Sequence, residues 1–193
     1  MPSRLRRLAR ARWRGQAAQA PLRVMLQDEA RFGLITDVRR CWCPRPARPV
    51  CRAHISRRYT YAYAAVSPDG ELDTLVLPHV NSECMQLFID ELARRHGAER
   101  IVLVMDGAGW HDNTLLRWPD NVRPLLLPRY SPELNPVENL WEELREKHFH
   151  NRLADSLEEV EEQLTAALRA LELDRARVRS ITAWPWILNS LPS

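Results

Sequence analysis

Three acidic residues, Asp28, Asp106 and Glu138, stand where carboxylates can do chemistry. Asp28 follows an apolar stretch, Asp106 ends a second apolar run, and Glu138 falls in the first turn of a predicted helix. Hard divalent cations such as Mg²⁺ take oxygen ligands and keep several waters, so two or three carboxylates are a sufficient contribution from the protein. Two such ions about 4 Å apart can activate a water or a 3′-hydroxyl in phosphodiester chemistry. These acids are therefore candidate ligands for Mg²⁺ or Mn²⁺.

Each acid also has a purely structural explanation. Glu138 stands three residues after Asn135, where the carboxylate of a capping box belongs. Asp28 and Asp106, at the predicted ends of strands, could serve as turn or capping residues. It is their joint placement that favours a metal site.

The first half of the chain carries strand patterns. Residues 22–27 form an apolar first strand that leads into Asp28 and a turn around Gly33. Two more strand candidates lie in 39–66, separated by PRPARP, and the second of them is YTYAYAAV. A turn at Ser67-Pro-Asp-Gly then brings back a hairpin partner over 71–77.

The second half alternates helices with strands. Ser82 is the expected N-cap of the first helix, and Asn135 is the expected N-cap of the helix that contains Glu138. The predicted elements are, in order, a helix from Ser82 to Gly97, a buried strand over 101–105, a short strand over 122–127, and helices over about 136–149 and 157–171.

This order of elements predicts an α/β domain with a mixed sheet flanked by helices. Three antiparallel strands, a helix, a buried strand, another strand and closing helices match the ribonuclease-H-like architecture. The chain has 193 residues, 45% of them hydrophobic, which is enough for one domain with a buried core and too few for two full ones.

Positive charge is concentrated in the first part of the chain. Residues 1–58 hold 15 arginines against three acids, whereas 59–193 hold 13 basic against 22 acidic residues. Such asymmetry is typical of proteins that bind polyanions. However, Lys147 is the single lysine among 28 basic residues, which also fits a genome that favours arginine throughout. Charge alone therefore leaves nucleic-acid binding open.

Neither the apolar residues nor the cysteines indicate an exported protein. No run of about 18 apolar residues occurs, and no apolar stretch follows the arginine-rich start, so we expect no membrane span, no secretory signal and a cytoplasmic, nucleoid-associated protein. Four cysteines are too few for a disulfide framework, so reduced thiols are expected. Cys41, Cys43, Cys51 and His54 do not have a usual zinc spacing.

Three segments resemble a known family. QDEARFG (27–33), VMDGAGWHDN (104–113) and LPRYSPELNPVENLWEELRE (127–146) resemble the three signature blocks of the DDE catalytic domain in mariner-like bacterial transposases of the insertion-sequence 630 type. The third block is the most specific because it is long and ends in a helical Trp. CWCPR (41–45) is similar to the family's Trp-containing strand, so the resemblance spans about 23–150.

The resemblance implies a fold, an activity and a set of site residues. The fold is ribonuclease-H-like, and the activity is metal-dependent DNA cleavage and strand transfer at insertion-sequence ends. Asp28, Asp106 and Glu138 would be the catalytic acids that bind two Mg²⁺ or Mn²⁺ ions. His111 matches a family histidine five residues after the second acid, where it would position metal, water or phosphate or make a structural hydrogen bond. Gly107 departs from the Asn of many relatives.

The resemblance also bears on domains and partners. Relatives carry helix-turn-helix domains ahead of the first acid, whereas 22 residues precede the core of the first strand here. We therefore expect a basic arm or remnant over 1–20 and a DDE catalytic domain of the transposase and integrase type over 21–193. The expected partners are transposon-end and target DNA, a separate helix-turn-helix protein, and a second copy in a homodimer on DNA.

The arginines near the predicted second strand are candidate phosphate contacts, which give affinity without sequence preference. A solvated strand face is the other explanation for them. They are Arg39, Arg40, Arg45, Arg48, Arg52, Arg57 and Arg58.

Two other functional classes stay open. One is a catalytically silent remnant, or a DNA-binding or assembly partner, that keeps only the fold; the intact set of acids favours an enzyme over it. The other is a ribonuclease-H-like nuclease that acts in repair or on RNA. Such a nuclease would share the acids but not the LPRYSPELNP loop.

Overall fold

The computed structural model describes residues 11, 13, 20–34, 42–47, 56–106, 115–127, 135–150 and 153–183. Within them, five strands form one sheet in the order β3-β2-β1-β4-β5. β1 to β3 are antiparallel, whereas β4 and β5 run parallel to β1, so the predicted mixed sheet is confirmed. The strands are β1 (Leu22–Gly33), β2 (Tyr59–Val66), β3 (Leu72–Leu77), β4 (Arg100–Met105) and β5 (Val122–Leu126).

Four helices are seen in the same residues. They are α1 (Ser82–Arg95), α2 (Val137–Leu144), α3 (Leu157–Leu173) and α4 (Arg175–Thr182), and α2 continues as a π-helix over Arg145–Phe149. The sequence did not predict α4 as a separate helix. It begins there because Asp174 caps it and accepts a hydrogen bond from the backbone N–H of Arg177 at 2.9 Å. None of these helices is both long and apolar enough to span a membrane.

The sheet separates two apolar cores. On β1, Val24, Leu26, Ala30 and Phe32 point into the core shared with α2, α3 and α4. Met25 points to the opposite face, where α1 packs. This period of two is the geometry of a strand buried on both faces, and it gives the domain three layers.

β1 changes its partner halfway along its length. Its first half pairs with β4 as far as Leu26 opposite Val104, and from Leu26 opposite Val66 to Gly33 opposite Tyr59 it pairs with β2. The prediction that the strand ends before Asp28 was therefore wrong. Hydrogen bonds to β2 continue the strand through the polar residues after Gln27. The predicted strand stopped there because its apolar pattern stops there.

Two predicted caps are displaced by one residue. Asn81, not Ser82, caps α1, and its side-chain oxygen accepts from the backbone N–H of Cys84 at 2.8 Å. Pro136, not Asn135, occupies the N-cap position of α2. At α2 the side chain of Asn135 still accepts a hydrogen bond from the N–H of Val137, although Pro136 stands at the N-cap position.

The Trp-containing segment 42–47 is not a strand. It contains a turn in which the backbone N–H of Ala47 donates to the carbonyl of Pro44 at 2.9 Å. Pro44 and Pro46 each lack a backbone N–H, which disfavours a sheet ladder. Trp42 is fully exposed, and the rest of the predicted strand lies outside the described residues.

Trp13 belongs to the folded domain. Its ring is 6% exposed and packs in the core that also contains Val24 and Leu26. The guanidinium groups of Arg100 and Arg123 lie 5.7 and 4.8 Å from the ring centre. At this position the predicted arm is therefore part of the core, while most of 1–20 lies outside the described residues.

β5 is an edge of the sheet within the described residues. Ile101 donates its N–H to Asn121 at 2.7 Å, and Leu127 donates to Met105 at 2.8 Å, so the odd-numbered residues direct their backbone groups toward β4. Pro124 is even-numbered, so its backbone groups point the other way, away from β4. Its nitrogen therefore faces the outer side of the strand, where no ladder bond to β4 is lost.

Candidate active site

The strand register brings Asp28 and Asp106 together. Leu26 on β1 pairs with Val104 on β4, and continuing this parallel register by two residues sets Asp28 beside Asp106. Both acids share the sheet face of Leu26 and Val104, which point into the core under α2. Asp28 is partly buried and Asp106 is exposed.

Glu138 reaches the same face from α2, where it lies exposed in the first turn. Asn135 ties the start of this helix to the central strand. Its side-chain Nδ2 donates to the backbone carbonyl of Gln27 at 2.9 Å, and its Oδ1 accepts from the N–H of Val137 at 3.3 Å. Asn135, which is 5% exposed, thus joins the residue next to Asp28 to the turn that carries Glu138.

The charges of the three acids act on one another. Burial is the largest cause that raises the pKa of Asp28 to about 7, the charge of Glu138 is the second, and Glu29 and Asp106 contribute less. A hydrogen bond from Trp141 acts in the opposite direction. The three predicted acids therefore form one electrostatic unit built from β1, β4 and α2.

The hydrogen bond from Trp141 is a contact that the sequence did not predict. Its indole Nε1 donates to Oδ2 of Asp28 at 2.8 Å, and the ring is 1% exposed. The only signal in the sequence is spacing, because Trp141 follows Glu138 by three residues on the same helix.

Glu29 lies on the other face of β1. Its carboxylate accepts a hydrogen bond from Nε2 of Gln27 at 3.0 Å and raises the pKa of Tyr63, which burial raises first. Gln27 and Tyr63 are buried, and Tyr63 belongs to the core under α1. The alternation of side chains along β1 thus separates Glu29 from the face of Asp28.

The donor set suits a hard divalent cation. It consists of carboxylate oxygens, and a cation among them would offset the mutual repulsion that raises the pKa of Asp28. Among the described residues, no group of three or more His, Cys, Asp and Glu side chains is arranged so that it could already hold a metal ion.

Three of the candidate DNA-contacting arginines can be placed. Arg45, Arg57 and Arg58 are exposed, and Arg58 lies 3.5 Å from the carboxylate of Glu158 on α3. Arg57 and Arg58 directly precede β2, which begins where β1 ends, beyond Asp28. Arg39, Arg40, Arg48, Arg52 and His111 lie outside the described residues.

Comparison with known proteins identifies the family. A family model described as DDE superfamily endonuclease matches residues 23–161. The uncharacterized protein y4pE/y4sA of Sinorhizobium fredii (strain NBRC 101917 / NGR234) is 35% identical over 134 residues, which are 68% of this chain and 99% of that protein.

Solved structures of Mos1 transposase are among those that match. The Mos1 strand transfer complex is 17% identical, with a TM-score of 0.58 over 95% of this chain and 61% of that one. The Mos1 mariner paired end complex with Mn is 16% identical, with a TM-score of 0.57 over 100% of this chain and 63% of that one. The chain thus spans about three-fifths of the Mos1 chains. These matches confirm the ribonuclease-H-like fold. Because the family model covers residues 23–161, the chain belongs to the DDE superfamily of endonucleases.

Proposed function

We propose that this chain is the catalytic domain of an insertion-sequence transposase, which cleaves DNA at the ends of the element and joins the freed end to target DNA. One observation carries the proposal: the register of β1 and β4 and the packing of α2 gather Asp28, Asp106 and Glu138 on one face of the sheet. The Mos1 complexes, which share the fold, are a strand transfer complex and a paired end complex with Mn.

Asp28, Asp106 and Glu138 would hold Mg²⁺ or Mn²⁺ through their carboxylate oxygens. When bound, a pair of such ions supplies activation of a water or a 3′-hydroxyl and stabilisation of the leaving oxygen. The protein contributes the position of Asp28 on β1, that of Asp106 directly after β4, and the helix that presents Glu138. Arg57 and Arg58, exposed beyond the end of β1, would contact DNA phosphates and orient the strand without reading its sequence.

The test is a cleavage assay with the purified chain, Mg²⁺ or Mn²⁺, and DNA that carries the flanking terminal repeats. Asp106→Asn is the matched variant, because it removes one carboxylate charge and keeps the size of the side chain. We expect cleavage by the wild type and its loss in the variant. Equal inactivity of both folded proteins would instead identify a silent remnant or a DNA-binding partner.

A second arm tests the partners. A helix-turn-helix protein encoded by a neighbouring gene is added to the mixture of chain and DNA. The mass of the DNA complex is then measured by light scattering. We expect two copies of the chain on paired DNA ends. A complex with one copy that cleaves equally well would contradict the homodimer.

A further inference from the structure

The bond from Trp141 to Asp28 crosses between two elements that are distant in sequence. The two residues are 113 positions apart, and Nε1 of Trp141 donates to Oδ2 of Asp28 at 2.8 Å. A buried indole N–H usually finds an acceptor, but here the acceptor is one of the candidate metal ligands rather than a backbone carbonyl. The bond occupies one of the two carboxylate oxygens of Asp28.

The donor is held rigidly. Trp141 is 1% exposed, and the ring of Phe32 meets it edge-on with a centroid distance of 6.3 Å. Asn135 fixes the start of the same helix to β1 through the carbonyl of Gln27. The direction of the indole N–H is therefore set by the core and by the helix anchor, not by solvent.

Two other tryptophans in the described residues lack such a bond. The indole nitrogens of Trp13 and Trp118 are buried and have no hydrogen-bond partner within the described parts of the chain. Trp13 lies in the same apolar core as Trp141. Within the described residues, the bond to Asp28 thus distinguishes Trp141 from Trp13 and Trp118.

We propose that Trp141 is a positioning residue for the divalent-cation site, where its indole N–H holds the Asp28 carboxylate in one orientation for the incoming ion. The inference rests on the proposed function, because it takes Asp28 to be a metal ligand. Partners that hydrogen-bond a metal ligand fix its orientation, and their loss typically lowers metal affinity about 10- to 100-fold.

The experiment measures Mn²⁺ binding to the full chain by calorimetry, without DNA. Trp141→Phe removes the indole donor and keeps an aromatic ring in the core. Trp13→Phe is the matched control, since it makes the same change in the same core where no hydrogen bond is lost. We expect Trp141→Phe to bind Mn²⁺ roughly tenfold more weakly and Trp13→Phe to bind it like the wild type.

A second readout separates positioning from packing. In the ¹H–¹⁵N spectrum, the indole N–H signal of Trp141 should shift when Mg²⁺ is added, and this response should disappear in Asp28→Ala. The Trp13 signal should not respond. Urea unfolding of both Phe variants measures how much each change lowers the free energy of unfolding. A positioning role of Trp141 does not require the two losses to differ.

The outcomes distinguish this inference from the function on which it rests. Equal Mn²⁺ affinity of Trp141→Phe and wild type overturns the positioning role, even if DNA cleavage depends on Asp28. Weaker Mn²⁺ binding by Trp141→Phe in a chain that cleaves no DNA supports the positioning role and refutes the proposed function. A wild-type chain that binds no Mn²⁺ overturns both.

Discussion

Asp28 is a carboxylate in an otherwise apolar row. Val24, Leu26, Ala30 and Phe32 flank it on the same face of β1, and all four are buried. A charge in such a row loses hydration, which is why burial is the first cause of its raised pKa. The position is therefore unfavourable for the folded chain unless a cation or a proton accompanies the carboxylate.

Asp28→Asn should stabilise the metal-free protein. In the folded state Asp28 keeps its proton up to a pKa of about 7. The free energy of unfolding of the wild type therefore falls as pH rises toward 7, and the full cost of the buried charge is present above that pH. We expect the variant to gain on the order of 2 kcal/mol in urea unfolding above pH 7. The gain should shrink as pH falls below 7.

Cleavage should be lost in this variant while stability rises. Asn keeps an oxygen that can accept from Trp141, so the packing of α2 is preserved. If Asp28→Asn is less stable than the wild type above pH 7, the charged carboxylate does not destabilise the metal-free fold.

At the scale of elements, α2 is fastened to β1 on both sides of Glu138. Asn135 bonds to the carbonyl of Gln27 before Glu138, and Trp141 bonds to Asp28 after it. The helix can therefore neither slide nor rotate along the strand without breaking a buried hydrogen bond. This fixes the acid of the helix relative to the acids of the sheet.

Asn135→Ala should lower both stability and cleavage. It leaves the buried carbonyl of Gln27 without this donor, which costs about 1–3 kcal/mol in urea unfolding. Ser156→Ala is the control, because it removes the cap whose oxygen accepts from the N–H of Glu159 at 3.1 Å on the distant helix α3, at a cost of about 1 kcal/mol.

Cleavage per folded molecule should fall in Asn135→Ala and stay unchanged in Ser156→Ala. Equal cleavage by the two variants, measured where both are folded, would mean that the bond to Gln27 serves stability alone.

At the scale of the whole molecule, a polar network joins the elements at the end of the sheet away from the acids. Arg23 on β1 binds both carboxylate oxygens of Glu99 at 2.7 Å, and Glu99 contacts Nδ1 of His96 at 2.8 Å. Nε2 of His96 lies 2.7 Å from the carboxylate of Asp73 on β3. The network therefore connects β1, β3 and the end of α1 through one buried histidine.

His96→Gln should reveal how this network depends on pH. The hydrogen bond to Asp73 raises the pKa of His96, so its stabilisation is complete below the ordinary histidine pKa and is lost as pH rises through the raised one. We expect a loss of roughly 1.5–3 kcal/mol in unfolding free energy at mildly acidic pH, shrinking at alkaline pH. The exposed His79 provides the control, His79→Gln. A loss that grows with pH would reverse the sign argued here.

The sequence predicted the topology better than it predicted the contacts. Periodic segments such as YTYAYAAV and the apolar run before Asp106 were long enough to identify strands, and the mixed sheet followed from their order. The continuation of β1 beyond Asp28 was missed because it depends on pairing with β2, which no local pattern records. Likewise, the spacing of Asn135 suggested the contact of its Oδ1 at the start of the helix, but not the bond from its Nδ2 to a strand 108 positions away.

The candidate acids could be selected from the sequence, but not their arrangement. The motif around Glu138 includes Trp141, yet only the packing of α2 shows that this indole meets Asp28. Long-range hydrogen bonds of this kind connect residues whose types are common and whose separation is arbitrary. They therefore leave no signal in a single sequence.

Pro124 on β5 bears on how the chain behaves at high concentration. An exposed edge strand offers outward N–H groups to any other strand, which is a route to aggregation. At Pro124 that outward donor is absent, at no cost to the bonds with β4. The edge is thus protected against pairing with the edge strand of another molecule, so this edge of the sheet does not favour aggregation as the concentration rises.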